Sequence, residues 1–241
     1  MTDQTIKIFV DFDGTIMKND VGDHLFMEFG NLDVINEIAD RWIAGEISSA
    51  TFWLELFDTL PEVDKSDMDT FLDTMEMDEG FRDFLQLCDK HSNIEMIILS
   101  DGLDYYIDHI FSNHNLNHLK VFTNKLHFME NNKMVPSFPY MDEECKICAN
   151  CKRNHILDNS RDDDITIFIG DGLSDTCPVQ YVDYIFAKRD LLKFCEKNRI
   201  SYYPFNNFYD VNARLEKLFG KRRLKKRHQA ELKRKAVYSL G

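Results

Sequence analysis

Asp11-Phe12-Asp13-Gly14-Thr15 stands directly after the apolar run Ile6 to Val10. In extended chain, side chains two apart point to the same side. Asp11 and Asp13 therefore face one place while Phe12 turns back toward a core, and Gly14 lets the chain break away sharply. Two more clusters sit in the same way. Ser100-Asp101-Gly102 follows Ile94 to Leu99, and Gly170-Asp171-Gly172-Leu173-Ser174-Asp175 follows Ile165 to Ile169. A hydroxyl and main-chain N–H groups at a strand end can hold phosphate oxygens, although Ser-Asp-Gly is also an ordinary turn. The carboxylates of the first and third clusters make a hard, oxygen-rich set suited to Mg²⁺. Asp175 has a second reading as a helix cap. A calcium loop at Asp11 would need a preceding helix and more ligands after it, and the sequence has neither. Lys152 precedes Asp171 and is the cation available to offset this crowded negative charge.

The elements that must position these residues are short β-branched runs. Ile6 to Val10, Ile94 to Leu99, Ile165 to Ile169 and Tyr184 to Ala187 read as buried parallel strands with helical patterns between them. That predicts an α/β fold: a Rossmann-like three-layer core with a doubly wound parallel sheet. Open sheets of this kind build their sites at the carboxyl ends of the strands. Lys120 to Thr123 is a further strand candidate. Lys125 to Phe138, with Glu130-Asn131-Asn132-Lys133 at its middle, reads as a β-hairpin. Residues 20–80 show apolar positions only at helical spacing (Val21, Leu25, Phe29; Ile35, Ile38, Trp42; Phe52, Leu56; Met68, Phe71, Leu72), broken by Gly30, Gly45 and Pro61. They form a small helical cap inserted after the first strand. The expected organisation is a catalytic core of residues 1–19 and 81–220, a cap of 20–80, and a basic tail of 221–241. Trp42 and Trp53 fit the cap's core better than a ligand site.

All four sites occur in the order found in the haloacid-dehalogenase superfamily, and the chain resembles its phosphatases over most of its length. The phosphoserine-phosphatase-like branch fits best. Within it the sequence is most similar to the methionine-salvage methylthiopentenyl-phosphate phosphatases. It is also similar to the phosphoethanolamine/phosphocholine phosphatases, which share a Cys-rich segment before the lysine and a Cys-Pro like Cys177-Pro178 here. The resemblance implies Mg²⁺-dependent hydrolysis of a small phosphomonoester. Asp11 would be the nucleophile that becomes an aspartyl-phosphate, and Asp13 the general acid and base. Asp11, Asp171 and the Asp13 carbonyl would hold Mg²⁺, with Asp175 ordering a bound water or Lys152. Ser100, Asp101, Gly102 and Lys152 would contact the phosphoryl group. Phosphoserine phosphatases read the substrate amine with an acidic residue nine after the nucleophile, where Asp20 stands, and its carboxylate with a cap arginine. Phe52-Trp53-Leu54-Glu55-Leu56, where that arginine is expected, contains none. Asp20, Asp23 and His24 are the cap's candidates for substrate contact.

Net charge is −13, yet residues 221–241 carry nine Lys/Arg and one Glu, leaving 20 basic against 41 acidic residues elsewhere. An acidic body repels nucleic acid, and the tail reads as a solvated, partly helical charge run. The expected partner is a small phosphorylated metabolite, with no membrane and no nucleic acid, for a monomer or homodimer. No run approaches the roughly 20 apolar residues of a membrane span, and no leader is read at Met1 to Thr5, so a cytoplasmic location is expected. Cys145, Cys148 and Cys151 form a C-x-x-C-x-x-C run. With His155 or Asp142 they could bind a structural Zn²⁺; otherwise they are reduced thiols that order the lysine by packing. Two other functions compete: a phosphotransferase using the same residues, and a catalytically idle RNA- or surface-binding protein acting through the tail.

Overall fold

The computed structural model describes residues 4–130 and 133–238. Its strands are β1 (Ile6–Val10), β2 (Ile94–Leu103), β3 (Val121–Phe128), β4 (Met134–Ser137), β5 (Ile165–Gly170), β6 (Tyr184–Ala187) and β7 (Tyr203–Pro204). Before β2 come the helices α1 (Val21–Phe29), α2 (Leu32–Ile43), α3 (Ser49–Thr59), α4 (Lys65–Leu72) and α5 (Phe81–Asp89). After it come α6 (Asp104–Asn113), α7 (Lys152–Asp158), α8 (Arg189–Lys197), α9 (Phe208–Phe219) and α10 (His228–Tyr238). Strand order is β4-β3-β2-β1-β5-β6-β7. Among the described residues no helix is long and apolar enough to cross a membrane.

The chain divides into two compact units. One takes in the chain up to Ile16, Met77–Leu99 and everything from Lys152 on; the other is Met17–Glu76 with Ser100–Cys151. In the first, β1 lies between β2 and β5, parallel to both, with Val10 opposite Ile98 and Ile169. Gly170 of β5 lies opposite Ala187 of β6. These strands thus all end toward one edge, as the apolar runs implied. Consecutive residues Ile8, Phe9 and Val10 are all buried, which a strand shows only when both faces of its sheet are covered. Asp78 fixes two helix starts, accepting from the N–H groups of Gly80 (2.9 Å) and Phe208 (3.1 Å). The rings of Phe81 and Phe84 then pack on Phe208 at 5.1 Å. β7 had no sequence signal, being two residues long and ending in proline.

The basic tail is not simply solvated. Leu224, Ala230 and Arg234 are buried, and α10 packs on residues 178–181. The Arg234 guanidinium donates to the Tyr181 carbonyl (2.5 Å), Thr166 Oγ1 (3.2 Å) and Asp183 Oδ1 (3.3 Å). Asp183 Oδ2 accepts from the Thr166 N–H and hydroxyl, both at 3.0 Å. A charge run conceals such a residue because nothing in its sequence separates the one buried arginine from its solvated neighbours.

In the second unit, α1 to α4 fall on the helical run, with Gly30 ending α1. Phe26, Trp53 and Phe57 form its aromatic core, with Phe26 and Phe57 edge to face at 5.1 Å. Trp42 stacks on Phe52 and donates to Ser49 Oγ (3.1 Å), a packing role like that of Trp53. The two separate strand signals at 120–128 are one strand, β3, paired antiparallel with β4 from Lys125↔Ser137 to Phe128↔Met134. Asn131 and Asn132, at the middle of the expected hairpin turn, lie outside the described residues. Ser100-Asp101-Gly102 is not a turn either. It continues β2, with Thr123 Oγ1 donating to the Gly102 carbonyl (2.7 Å) and Asn124 Nδ2 to that of Asp101 (2.7 Å).

Removing one partner of a buried ion pair leaves the other charge uncompensated. Arg234→Ala is expected to lower the unfolding free energy by about 3 kcal/mol, read from urea denaturation. A change below about 1 kcal/mol, the range of an exposed pair, would show that the tail is not fastened through this contact.

Candidate active site

β1 delivers Asp11, whose N–H donates to the Ile169 carbonyl of β5 at 2.9 Å. The chain then leaves the strand in the way the motif implied. Phe12 is fully buried, Asp13 is extended (φ −68°, ψ 129°) and Gly14 is left-handed (φ +66°). Glycine is required there twice over. A Cβ on it would lie 2.5 Å from Asp171 Oδ2 and 2.7 Å from Arg189 Nη1.

Asp11, Asp171 and Asp175 are all buried, and each offers a carboxylate oxygen within 4.8 Å of the others. Lys152, the first residue of α7, reaches into this cluster with only 2% of its surface exposed. Its ammonium donates to Asp11 Oδ1 (2.5 Å), Asp175 Oδ1 (2.7 Å) and Ser174 Oγ (3.1 Å). All three of its protons are engaged, so binding a phosphoryl oxygen requires one to be released. Asp175 Oδ2 accepts from the N–H groups of Asp171 (3.0 Å) and Gly172 (3.2 Å). Asp175 therefore closes the 170–175 loop and is not a mere helix cap. Asp171 is steadied by the Thr15 hydroxyl (3.1 Å) on Oδ1 and by Arg189 Nη1 (3.0 Å) on Oδ2. Asp13 is half-buried and outside this set of three carboxylates.

Electrostatics follow from the count of charges. Burial pulls the Lys152 ammonium below the usual lysine range; the Asp11 and Asp175 carboxylates outweigh it and hold the group above that range. One ammonium is not enough for its neighbours. Burial raises the Asp11 carboxyl well above the ordinary range, Asp175 adds to this, and Lys152 does not cancel it. Asp171 is raised for the same two reasons, against the pull of Arg189. A hard dication fits this donor set, since it would offset the charge that Lys152 leaves uncompensated.

Arg189 was missed in the sequence. It begins α8 directly after Ala187-Lys188 and holds a left-handed φ of 48°, a conformation that costs an arginine on the order of 1 kcal/mol. The available signal was its position: β6 ends at the same sheet edge as the three clusters, and its basic Lys188-Arg189 lacks the glycine that drew attention to them.

The remaining candidates belong to the second unit. Ser100 is buried, and its Oγ accepts from the Gly102 N–H at 2.9 Å. The Asp101 carboxylate accepts from the Asn150 N–H (2.8 Å), while Asn150 Nδ2 donates to the carbonyls of Ser100 (2.7 Å) and Phe122 (3.0 Å). Asn150, absent from the sequence reading, thus ties the end of β2 to β3. Asp20 caps α1, its side chain accepting from the Asp23 N–H at 2.8 Å, and His24 Nδ1 lies 2.9 Å from the Asp20 carbonyl. The cysteine run does not gather into a zinc site. Among the described residues, Asp11, Asp171 and Asp175 form the one cluster at ligand distance. Cys145 is exposed, Cys148 half-buried and Cys151 buried, and Asp142 Oδ1 accepts the N–H groups of Glu144 and Cys145 to shape a turn. None of the six cysteines is in a disulfide.

A family model described as Putative Phosphatase matches residues 6–200. The chain belongs to this phosphatase family. A 2-hydroxy-3-keto-5-methylthiopentenyl-1-phosphate phosphatase of Bacillus cereus is 31% identical over 216 residues, covering 89% of this chain and 97% of that protein. Its counterpart in Bacillus mycoides is 32% identical over the same shares. A substrate-bound phosphoserine phosphatase shares the fold at TM-score 0.65 and 15% identity, over 90% of this chain and 99% of that one. A phospho-aspartyl intermediate analogue of phosphoserine phosphatase does so at TM-score 0.65 and 14% identity, over 89% and 99%. The chain is a phosphatase with the haloacid-dehalogenase fold.

For this phosphatase the buried ammonium yields a direct test. Lys152→Ala is expected to raise the barrier to turnover by roughly 2 to 4 kcal/mol, with Lys152→Arg a poor rescue because a planar fork does not fit a point-charge site. Near-normal turnover in the alanine variant, measured with p-nitrophenyl phosphate and Mg²⁺, would remove Lys152 from the site.

Proposed function

We propose that the protein hydrolyses a small phosphomonoester through a phospho-aspartate on Asp11. One observation carries this reading: a buried carboxylate at the end of the central strand, gripped at Oδ1 by Lys152 within the three-carboxylate cluster. Among the described residues no group bonds Asp11 Oδ2, which leaves that oxygen for attack on phosphorus. In the first step the Asp11–phosphorus bond forms, the ester P–O bond breaks, and Asp13 gives its proton to the leaving alkoxide. In the second, Asp13 takes a proton from water as its oxygen attacks phosphorus, releasing inorganic phosphate and restoring Asp11. Asp11, Asp171 and the Asp13 carbonyl are the residues that would hold Mg²⁺, with Asp175 and Arg189 steadying the loop and Asp171. Bound there, Mg²⁺ lessens the repulsion between an anionic nucleophile and an anionic ester. Ser100 and the Gly102 N–H are the proposed phosphoryl contacts. The Asp101 carboxylate is engaged with Asn150, so only its main chain would contribute. Helices α1 to α4 are the proposed cap, and the cytoplasm the proposed location.

Substrate identity rests on two supports. The Bacillus relatives are named for a methylthiopentenyl phosphate, and residues 17–76 contain a single arginine, Arg41. Arg41 is already paired with Glu55 at 2.7 and 3.3 Å, so it is not available for a substrate carboxylate. A neutral methylthio-keto-sugar phosphate is therefore the preferred substrate class. A cationic leaving group such as choline or ethanolamine is second, and phosphoserine is disfavoured.

Asp11→Asn is expected to remove turnover while leaving the fold intact, since Asn keeps the shape but is a very poor nucleophile. Residual activity above about 1% would count against Asp11. On a panel of phosphomonoesters, phosphoserine should be at least about tenfold worse in kcat/KM than the methylthio-keto ester. Asp20→Asn refines the test, because Asn caps α1 as well as Asp does. A cationic substrate should lose affinity in this variant and a neutral one should change little. Phosphoserine as the best substrate on the panel would overturn the substrate reading alone.

A further inference from the structure

A cleft of about 590 Å³ opens in the first unit between the start of α8, β7 and α9. Its charge is the reverse of the molecule's. Lys188, Arg189, Arg214 and Lys217 line it against one carboxylate, Asp210, in a chain with a net charge of −13. The lone acid is engaged, its Oδ2 accepting from the Asn206 N–H at 2.8 Å. Among the described residues Lys188, Arg214 and Lys217 make no ion pair.

Two of these cations are held in place by aromatic faces. The Arg214 guanidinium lies 4.0 Å from the centre of the Tyr203 ring, and Lys188 Nζ lies 4.9 Å from that of Phe205. Such contacts fix a cation without neutralising it, so the positive charge stays available. Lys188 is also half-buried, and burial lowers its ammonium below the usual lysine range in spite of Asp171. An anion beside it would relieve that cost. Arg189 fills the rim toward the acidic cluster, its left-handed backbone aiming the guanidinium at Asp171.

The geometry points to a second binding site, separate from the acidic cluster, for a small molecule bearing two or more anionic groups. The volume lies within the range of small-ligand sites. Three unpaired cations exceed what one monoanion can satisfy. Leu192, Pro204 and Phe205 give the same cleft apolar wall, which admits a ligand with an apolar portion. Adjacent phosphates and clustered carboxylates share the required chemistry.

Calorimetric titration of the full chain, freed of metal on a chelating resin and kept in a buffer without polyanions at low ionic strength, isolates this cleft, because the metal-free cluster of three carboxylates repels anions. Pyrophosphate and citrate are each expected to bind once per chain, at least about tenfold tighter than inorganic phosphate, with affinity falling as salt rises. The double variant R214E/K217E should lose at least about tenfold in pyrophosphate affinity while keeping its melting temperature and its hydrolysis of p-nitrophenyl phosphate with Mg²⁺. Arg214→Ala, a milder change, should shift affinity in the same direction. Tighter binding of pyrophosphate than citrate would assign the phosphate form of the ligand, and the reverse order the carboxylate form. The proposal is overturned if neither pyrophosphate nor citrate binds up to about 10 mM. It is equally overturned if charge reversal leaves binding unchanged, or if the folded variant loses hydrolysis.

Discussion

The ammonium of Lys152 sits where strand ends β1 and β5 deliver three buried carboxylates, and much of the first unit depends on that contact. Like charges so close cannot all remain ionised without a counter-charge. Lys152 supplies one, and its three protons define where Asp11, Asp175 and Ser174 must stand. The sheet satisfies that demand by register: Val10 opposite Ile169 brings Asp11 and the 170–175 loop to one level. Asp175 folds its own loop back on the N–H groups of Asp171 and Gly172, leaving Asp171 to Thr15 and Arg189. Glycine at positions 14 and 170 follows from the same crowding. A side chain at either would collide with Asp171 or Asp175.

Burial, together with the closeness of the three carboxylates to one another, leaves this arrangement under-neutralised. Asp11 and Asp171 are both held above the ordinary carboxylate range, which marks a site prepared for more positive charge than the protein itself provides. A dication would supply that charge, which is the part Mg²⁺ plays in the proposed mechanism. In the proposed mechanism Lys152 serves two states, holding Asp11 in the resting protein and turning one N–H to the ester once substrate binds. The basic cleft beside Arg189 extends the same logic outward, with cations stacked on rings rather than cancelled by acids.

Most of the core was legible because its signals are local. β-Branched runs ending in Asp-x-Asp-Gly or Gly-Asp-Gly carry strand, turn and chemistry within a few residues, and β1 and β5 fall where those runs lie. The helices α1 to α4 were equally plain from their spacing and from Gly30 and Pro61. What escaped depends on contacts distant in sequence. Ser100–Gly102 reads by composition as either a strand-end cluster or a turn, and the choice is made by Thr123 and Asn124, which hold its carbonyls as it continues β2. Arg234 is buried because Asp183 and Thr166 await it some fifty to seventy residues earlier. The three cysteines kept a zinc-like spacing, but turns around Asp142 place them at different depths.

The proposed mechanism is covalent, and the most direct measurement is to find the phosphoryl group on the protein. Acid quenching during turnover, followed by peptide mass spectrometry, should locate an acyl-phosphate on the peptide containing Asp11, and the adduct should be labile to hydroxylamine as acyl-phosphates are. Phosphate found on another residue, or burst kinetics without any adduct on that peptide, would contradict it.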